Sequence, residues 1–137
     1  MDNIVVIPLC QVGSVPFQSN REIVREAFGE FREFRKNQFS KNTADDFGFC
    51  HVYYDENDNC DAFEFFSGCK IEVDGKIVFP GRIDAIKSVL GDYVIMGDSY
   101  ISIEKSIGIT VINREIECVL FGKKDYYKSM SQCFDSE

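Results

Sequence analysis

One histidine and six cysteines are the first groups in this sequence that could do chemistry. His51 directly follows Cys50 in a β-branched and aromatic stretch. A thiol–imidazole nucleophile requires both groups to meet in space, with a third group to orient the base. Neighbouring side chains of an extended strand point to opposite faces, so Cys50 and His51 cannot serve each other. His51 therefore reads as a structural or surface histidine. Cys10, Cys50, Cys60, Cys69, Cys118 and Cys133 form no C-x-x-C pair, and one histidine leaves no Cys/His set at zinc spacing. The N-terminus MDNIVVIPL lacks a basic lead and has only a short apolar run before Pro8, so neither a secretory signal nor a membrane span is expected. In that setting the thiols are expected to be reduced and mostly buried.

Carboxylates are the other candidates. Asp55, Asn57, Asn59 and Asp61 alternate as the oxygen ligands of a calcium loop do. The glycine position of such a loop holds Cys60, however, and the closing glutamate position holds Phe66. A polar hairpin turn accounts for the segment better. There is no G-x-S-x-G, no G-x-x-x-x-G-K-[ST] and no G-x-G-x-x-G. The expectation is a protein with no enzymatic activity, no catalytic residues, no cofactor and no metal.

What stands out is charge. Residues 45 to 64 hold seven Asp or Glu and no Lys or Arg, a local charge of −7. Phe47, Phe49, Tyr53, Tyr54, Phe63, Phe65 and Phe66 are interleaved with these acids. Phe65 and Phe66 must point opposite ways in a strand, so one face cannot bury every ring. Aromatic anchors among charges suit a protein interface, and the charge would steer a basic partner. The candidate contact residues are Asp45, Asp46, Tyr53, Tyr54, Asp55, Glu56, Asp58, Asp61 and Glu64. The basic residues Arg21, Arg25, Arg32, Arg35, Lys36 and Lys41 cluster near Glu22, Glu26, Glu30 and Glu33, which reads as local ion pairing.

Two helices and eight strands would position these groups. Ser19 to Gly29 has a capping-box spacing (Ser19, Glu22), an apolar stripe of Ile23, Val24, Ala27 and Phe28, and a glycine stop. Pro80 to Gly91 has Pro at its start, a stripe of Ile83, Ile86, Val89 and Leu90, and a glycine end. Strands are expected over 4–7, 49–54, 62–66, 70–73, 76–79, 100–103, 109–112 and 116–121, with Asp74-Gly75 as a tight hairpin turn. Residues 41–47 read as a loop, and the tail from Lys123 as a short helix that frays near Ser136. The two helical segments align with an offset of 62 (Val24 on Ile86, Phe28 on Leu90, Gly29 on Gly91), and the strands that follow align at an offset near 60. This predicts a tandem unit of helix and hairpin. The expected fold is a single α+β domain over residues 1–137: an antiparallel sheet with two main helices packed on one face. Its halves would span about 4–68 and 69–122, with a tail at 123–137.

Composition bounds the function. With 137 residues, 45% hydrophobic and 28% charged, the chain is an ordinary one-domain globular protein. A net charge of −8 opposes binding to nucleic acid or to an anionic membrane and permits a basic protein partner.

The stretch Val12-Gly13, Phe17, Arg21-Glu22-Ile23-Val24-Arg25 and Phe28-Gly29 resembles a signature of small cytosolic bacterial proteins, as does Val52-Tyr53-Tyr54-Asp55-Glu56 followed by Ala62-Phe63-Glu64-Phe65. These are the immunity proteins of polymorphic toxin and contact-dependent growth-inhibition systems. The signature also resembles, distantly, the tandem repeats of β-lactamase-inhibitor-like domains. The chain departs from it at Gln18-Ser19, where the signature has Gly-Met. The resemblance implies a cytoplasmic protein that binds and neutralises a cognate toxin domain, often a basic nuclease, and it carries over no catalytic residue. An alternative from another class is a small ligand- or metal-sensing module. A homodimer that hides an aromatic strand is a further possibility.

Overall fold

The computed structural model describes residues 3–40 and 42–128. The first half of the chain runs β1 (Asn3–Ile7), β2 (Gln11–Val12), β3 (Val15–Pro16), α1 (Arg21–Phe28), β4 (Arg32–Phe34), β5 (Ala44–Asp46), β6 (Cys50–Tyr54) and β7 (Cys60–Phe65). The second half runs β8 (Lys70–Val73), β9 (Lys76–Phe79), α2 (Ile83–Leu90), β10 (Val94–Met96), β11 (Ser99–Ser102), β12 (Ile107–Ile112) and β13 (Glu115–Gly122). Strands make up 46% and helices 14%, so the fold is β-rich and not the expected α+β sheet carrying two main helices. The reason is physical. Each helix has only eight residues. The strands also divide into two sheets. One has the order β3-β2-β1-β8-β9 and the other β10-β11-β12-β13-β7-β6-β5-β4. All pairings are antiparallel except β1 with β8.

The order of elements is the same in both halves: short strands, a helix, then a four-strand antiparallel meander. The meanders meet where β7 pairs with β13. Finer details match as well. A β-bulge interrupts β6–β7 pairing between Tyr53 and Tyr54, and β12–β13 pairing between Thr110 and Val111. The residue before each helix bridges to the head of its own last strand, Asn20 to Asn59 and Arg82 to Glu115. Backbone bonds repeat there too: Cys60 N donates to Ser19 O as Ile116 N donates to Gly81 O.

One main core joins the inner faces of both sheets to one side of each helix, with Phe63, Phe65, Phe121, Ile71, Ile83, Ile86 and Leu90 among its fully buried members. The second helix buries the expected stripe. The first does not. Ile23 is 46% exposed and Ala27 is exposed, while Arg21 is buried beside Val24. Its cap is Asn20, whose Oδ1 accepts from Ile23 N, and the Ser19 hydroxyl instead donates to Pro16 O.

A smaller cluster of Ala62, Ile101, Leu120 and Tyr127 lies on the outer face of the large sheet. Turns occupy Lys124–Tyr127 and helix starts at Lys128; the rest of the expected tail helix, from 129 on, lies outside the described residues, as does Cys133. Tyr126 and Tyr127 lie so close over Gly122 and Gly108 that a Cβ at either glycine would overlap a tyrosine. Neither helix is long and apolar enough to cross a membrane.

Candidate functional site

The acidic stretch folds into β5, β6, β7 and the turn between the last two, and the strand pairing sorts its residues. Asp45, Val52, Phe63 and Phe65 face inward; Asp46, His51, Tyr53, Ala62 and Glu64 face outward. The nine candidate residues therefore fall into three groups.

Asp45 and Tyr54 belong to the interior. Asp45 is fully buried. Arg25 grips it with two bonds of 2.8 Å, from Nε to Oδ2 and from Nη2 to Oδ1. Arg21 Nη1 lies 3.4 Å from Oδ1, and the Tyr54 hydroxyl donates to Oδ2 at 2.9 Å. The Arg21 guanidinium stacks over the Tyr54 ring at 4.1 Å and also holds Asp58 and the Thr43 carbonyl. Bidentate guanidinium–carboxylate bonding of this kind is strong and fixes geometry. The Asp45 bonds raise the pKa of Arg25 above its ordinary value. The arginines of α1 thus bind acids 20 to 37 positions away, and Glu33 is their nearer partner at 3.1 Å from Arg25. Local pairing along one helix is not what they do.

Asp55 and Asp58 organise the hairpin turn. Asp55 Oδ1 accepts from Asn57 N and Asn59 N, both at 2.9 Å, so this carboxylate is turned onto its own backbone. The hydrogen bond from Arg21 holds Asp58 below the ordinary aspartate range. Among the described residues no group of three His, Cys, Asp or Glu is placed to hold a metal ion.

The remaining five residues share the outer face or its rim. His51 sits between two carboxylates, with Nε2 3.6 Å from Asp46 and Nδ1 3.8 Å from Glu64, and between the rings of Phe34 and Phe66 at 4.7 and 4.6 Å. The Tyr53 hydroxyl donates to Glu64 at 2.8 Å. Cys50 points the other way, into the core, where burial drives its thiol well above the ordinary range. Beside Tyr53 opens a groove of about 390 Å³, walled by Tyr53 and Tyr126 and rimmed by Asp55, Glu56 and Asp61. Two lysines form part of its lining. Lys36 Nζ sits 4.6 Å from the centre of the Tyr53 ring, and Lys123 Nζ is 3.0 Å from Asp61.

The local charge of −7 is therefore not a bare patch: Arg21, Arg25 and Lys123 neutralise part of it. Glu56 and the groove rim are what remains open to a partner. Sequence reasoning missed Arg21, Arg25, Lys36, Lys123 and Tyr126. One signal was available for the first of these. The helix offset of 62 places Arg21 on Ile83, a fully buried position of α2.

Comparison of the chain with family models, with curated proteins and with solved structures finds no match.

Loss of hydration raises four tyrosines of this region: Tyr54 and Tyr127, which are buried, and Tyr53 and Tyr126, which are half-buried, the last pushed up to about 12. Burial likewise pushes the Cys60 thiol up to about 11. A group whose folded pKa exceeds its unfolded value contributes stability that is complete below the unfolded value and is lost as pH rises through the folded one. The urea midpoint is thus expected to hold near neutrality and to fall from about pH 9 upward, past the ordinary thiol and phenol values. Tyrosinate absorbance should appear together with unfolding. A midpoint unchanged through strongly alkaline pH would show that these hydroxyls are not held in the interior.

Proposed function

We propose that this protein is an immunity-type inhibitor that binds a cognate toxin domain in the cytoplasm by direct contact and performs no chemistry of its own. The toxin domain is basic, with a nuclease as the first choice. The observation that carries the reading is the groove between Tyr53 and Tyr126. Two lysine side chains belong to its lining, one over an aromatic face and one on a carboxylate. A site that holds amines in this way accepts a partner's lysine or arginine through the same cation–π and charge-assisted contacts. The contact surface comprises Asp46, Tyr53, Asp55, Glu56, Asp58, Asp61 and Glu64, with the buried Asp45 and Tyr54 beneath it as support. The resemblance of the helix and hairpin segments to immunity proteins supports the same reading. An acidic cap on a nuclease would also exclude its polyanionic substrate.

A rescue assay tests this. The reading frame immediately upstream is cloned, and its C-terminal domain is expressed alone and with this protein while growth is followed. Growth arrest reversed only by co-expression is the expected result. An arrest that co-expression leaves unrelieved, or no arrest at all, would count against immunity to that neighbour.

An apolar groove of about 490 Å³ between β1 and the end of α1, lined by Ile4, Val5, Ala27, Phe28 and Phe49, favours the second reading, a small-ligand module.

A further inference from the structure

The two sheets have four edges, and three of them are blunted. β3 is two residues long and ends in Pro16. β9 begins with Lys76 and runs into Pro80. β4 carries Arg32 and Glu33. Charge, proline and shortness are the usual devices that stop a sheet from recruiting another strand. The fourth edge, β10, is as short as β4 but carries no charged residue or proline within the strand itself. It reads Val94-Ile95-Met96, with exposures of 43%, 58% and 38%, and it pairs with β11 without a bulge.

We propose that β10 is a docking edge that an extended segment of a partner protein joins as an added strand. The segment is apolar in its middle and basic at both ends. The charges around the edge select it. Asp92 and Asp98 bracket the strand and Glu104 flanks the outer side, while of the nearby cations Arg114 is held by Asp84, Lys105 by the Val89 carbonyl, and Lys87 borders the inner hollow. Backbone hydrogen bonds would supply affinity and the alternating side chains specificity. A residue opposite Ile95 would enter the hollow lined by Ile83, Tyr100 and Val111, which Lys87 and Asp98 border. Residues opposite Val94 would meet Ile101 and Ile103 on the other face. A second copy of this chain fits poorly. Two-fold antiparallel pairing centred on Ile95 sets Asp92 of each copy against Asp98 of the other, and like charges directly opposite are destabilising. The inference does not depend on the partner being a toxin.

The test uses the full chain and a blocked peptide, Lys-Val-Thr-Val-Thr-Val-Lys, with hydrogen exchange of the amides of 94–96 followed by NMR. Exchange in β10 is expected to slow by about tenfold or more at saturating peptide. The same peptide with glutamate at both ends should leave it unchanged. In the Asp92→Lys/Asp98→Lys variant the preference should invert. Ile95→Lys should abolish the protection while keeping the wild-type urea midpoint, because this side chain is exposed. Protection at β4 or at residues 55–61 in place of β10, indifference to the peptide's end charges, or no slowing at all would overturn the proposal. So would β10 protection that grows with protein concentration in the absence of peptide, since that would assign the edge to a second copy.

Discussion

Replacing Asp45 with alanine is expected to cost about 3–5 kcal/mol of folding stability, the range seen when one partner of a buried ion pair is removed. The expectation follows from what remains behind. Arg21 is 7% exposed and would keep its charge with Asp58 as its main counter-ion. Arg25 would lose both of its 2.8 Å bonds. The Tyr54 hydroxyl would lose its acceptor. Urea denaturation measures the change. The second half of the molecule supplies a comparison for Arg21 alone: at the helix offset of 62 it has the buried Ile83 there, and Lys87 where the first half has Arg25. A double variant, Arg21→Ile/Asp45→Leu, is expected to recover only the part of the loss due to Arg21, because Arg25 and the Tyr54 hydroxyl still lack the acceptor that Asp45 gave them. A single variant that loses less than about 1 kcal/mol would show that Asp45 is not the hub of this cluster. The cluster matters for binding because Arg21 also holds Asn42 and Thr43, which line the tyrosine groove.

Reversing Asp46, Glu56 and Asp61 to lysine is expected to weaken binding of the cognate basic partner by about a hundredfold, close to 2.7 kcal/mol at 25 °C. Most of the loss should appear as slower association and as a flatter dependence on salt, since these charges steer the encounter. Surface plasmon resonance at two ionic strengths reads both. Asp46 and Asp61 are partly exposed and Glu56 is exposed, so the urea midpoint should fall only modestly, a loss of about 1 kcal/mol or less from the lost Asp61–Lys123 and Asp46–Gly48 contacts. Affinity unaffected by all three reversals would sink the acidic-groove model, even if the rescue assay succeeded.

Legibility from sequence tracked local regularity. Lys70–Val73 and Lys76–Phe79 form at their expected bounds because β-branched residues flank an Asp-Gly turn. The second helix shows its stripe plainly. β4 and β5 were illegible because Arg32-Glu33-Phe34 and Ala44-Asp45-Asp46 are polar and short, and only the pairing of β5 with β6 and of β4 with β5 makes them strands. Asp45 read as a surface acid for the same reason. Its inward orientation comes from the register with Val52, and its neutralisation from a helix 20 residues away. The groove was half visible: Tyr53, Glu56 and Asp61 carried the signal, whereas Tyr126 and the two lysines reach it from distant segments. The offset between the helices was visible throughout. Extending it to Arg21 would have identified a charge in a core position.

The union of the two meanders also sets a timetable. β7 and β13 are the middle strands of the eight-stranded sheet, yet β13 is the last strand of the described chain. During synthesis β7 can pair with β6 at once, but its other edge must wait for more than fifty residues to emerge before Val119 and Phe121 arrive beside Phe65 and Phe63. β1 waits similarly for its parallel neighbour β8. A nascent chain stopped short of Glu115 would present a sticky, half-built sheet with its central seam open. Such a chain would rely on chaperones, or on swift completion, to escape aggregation.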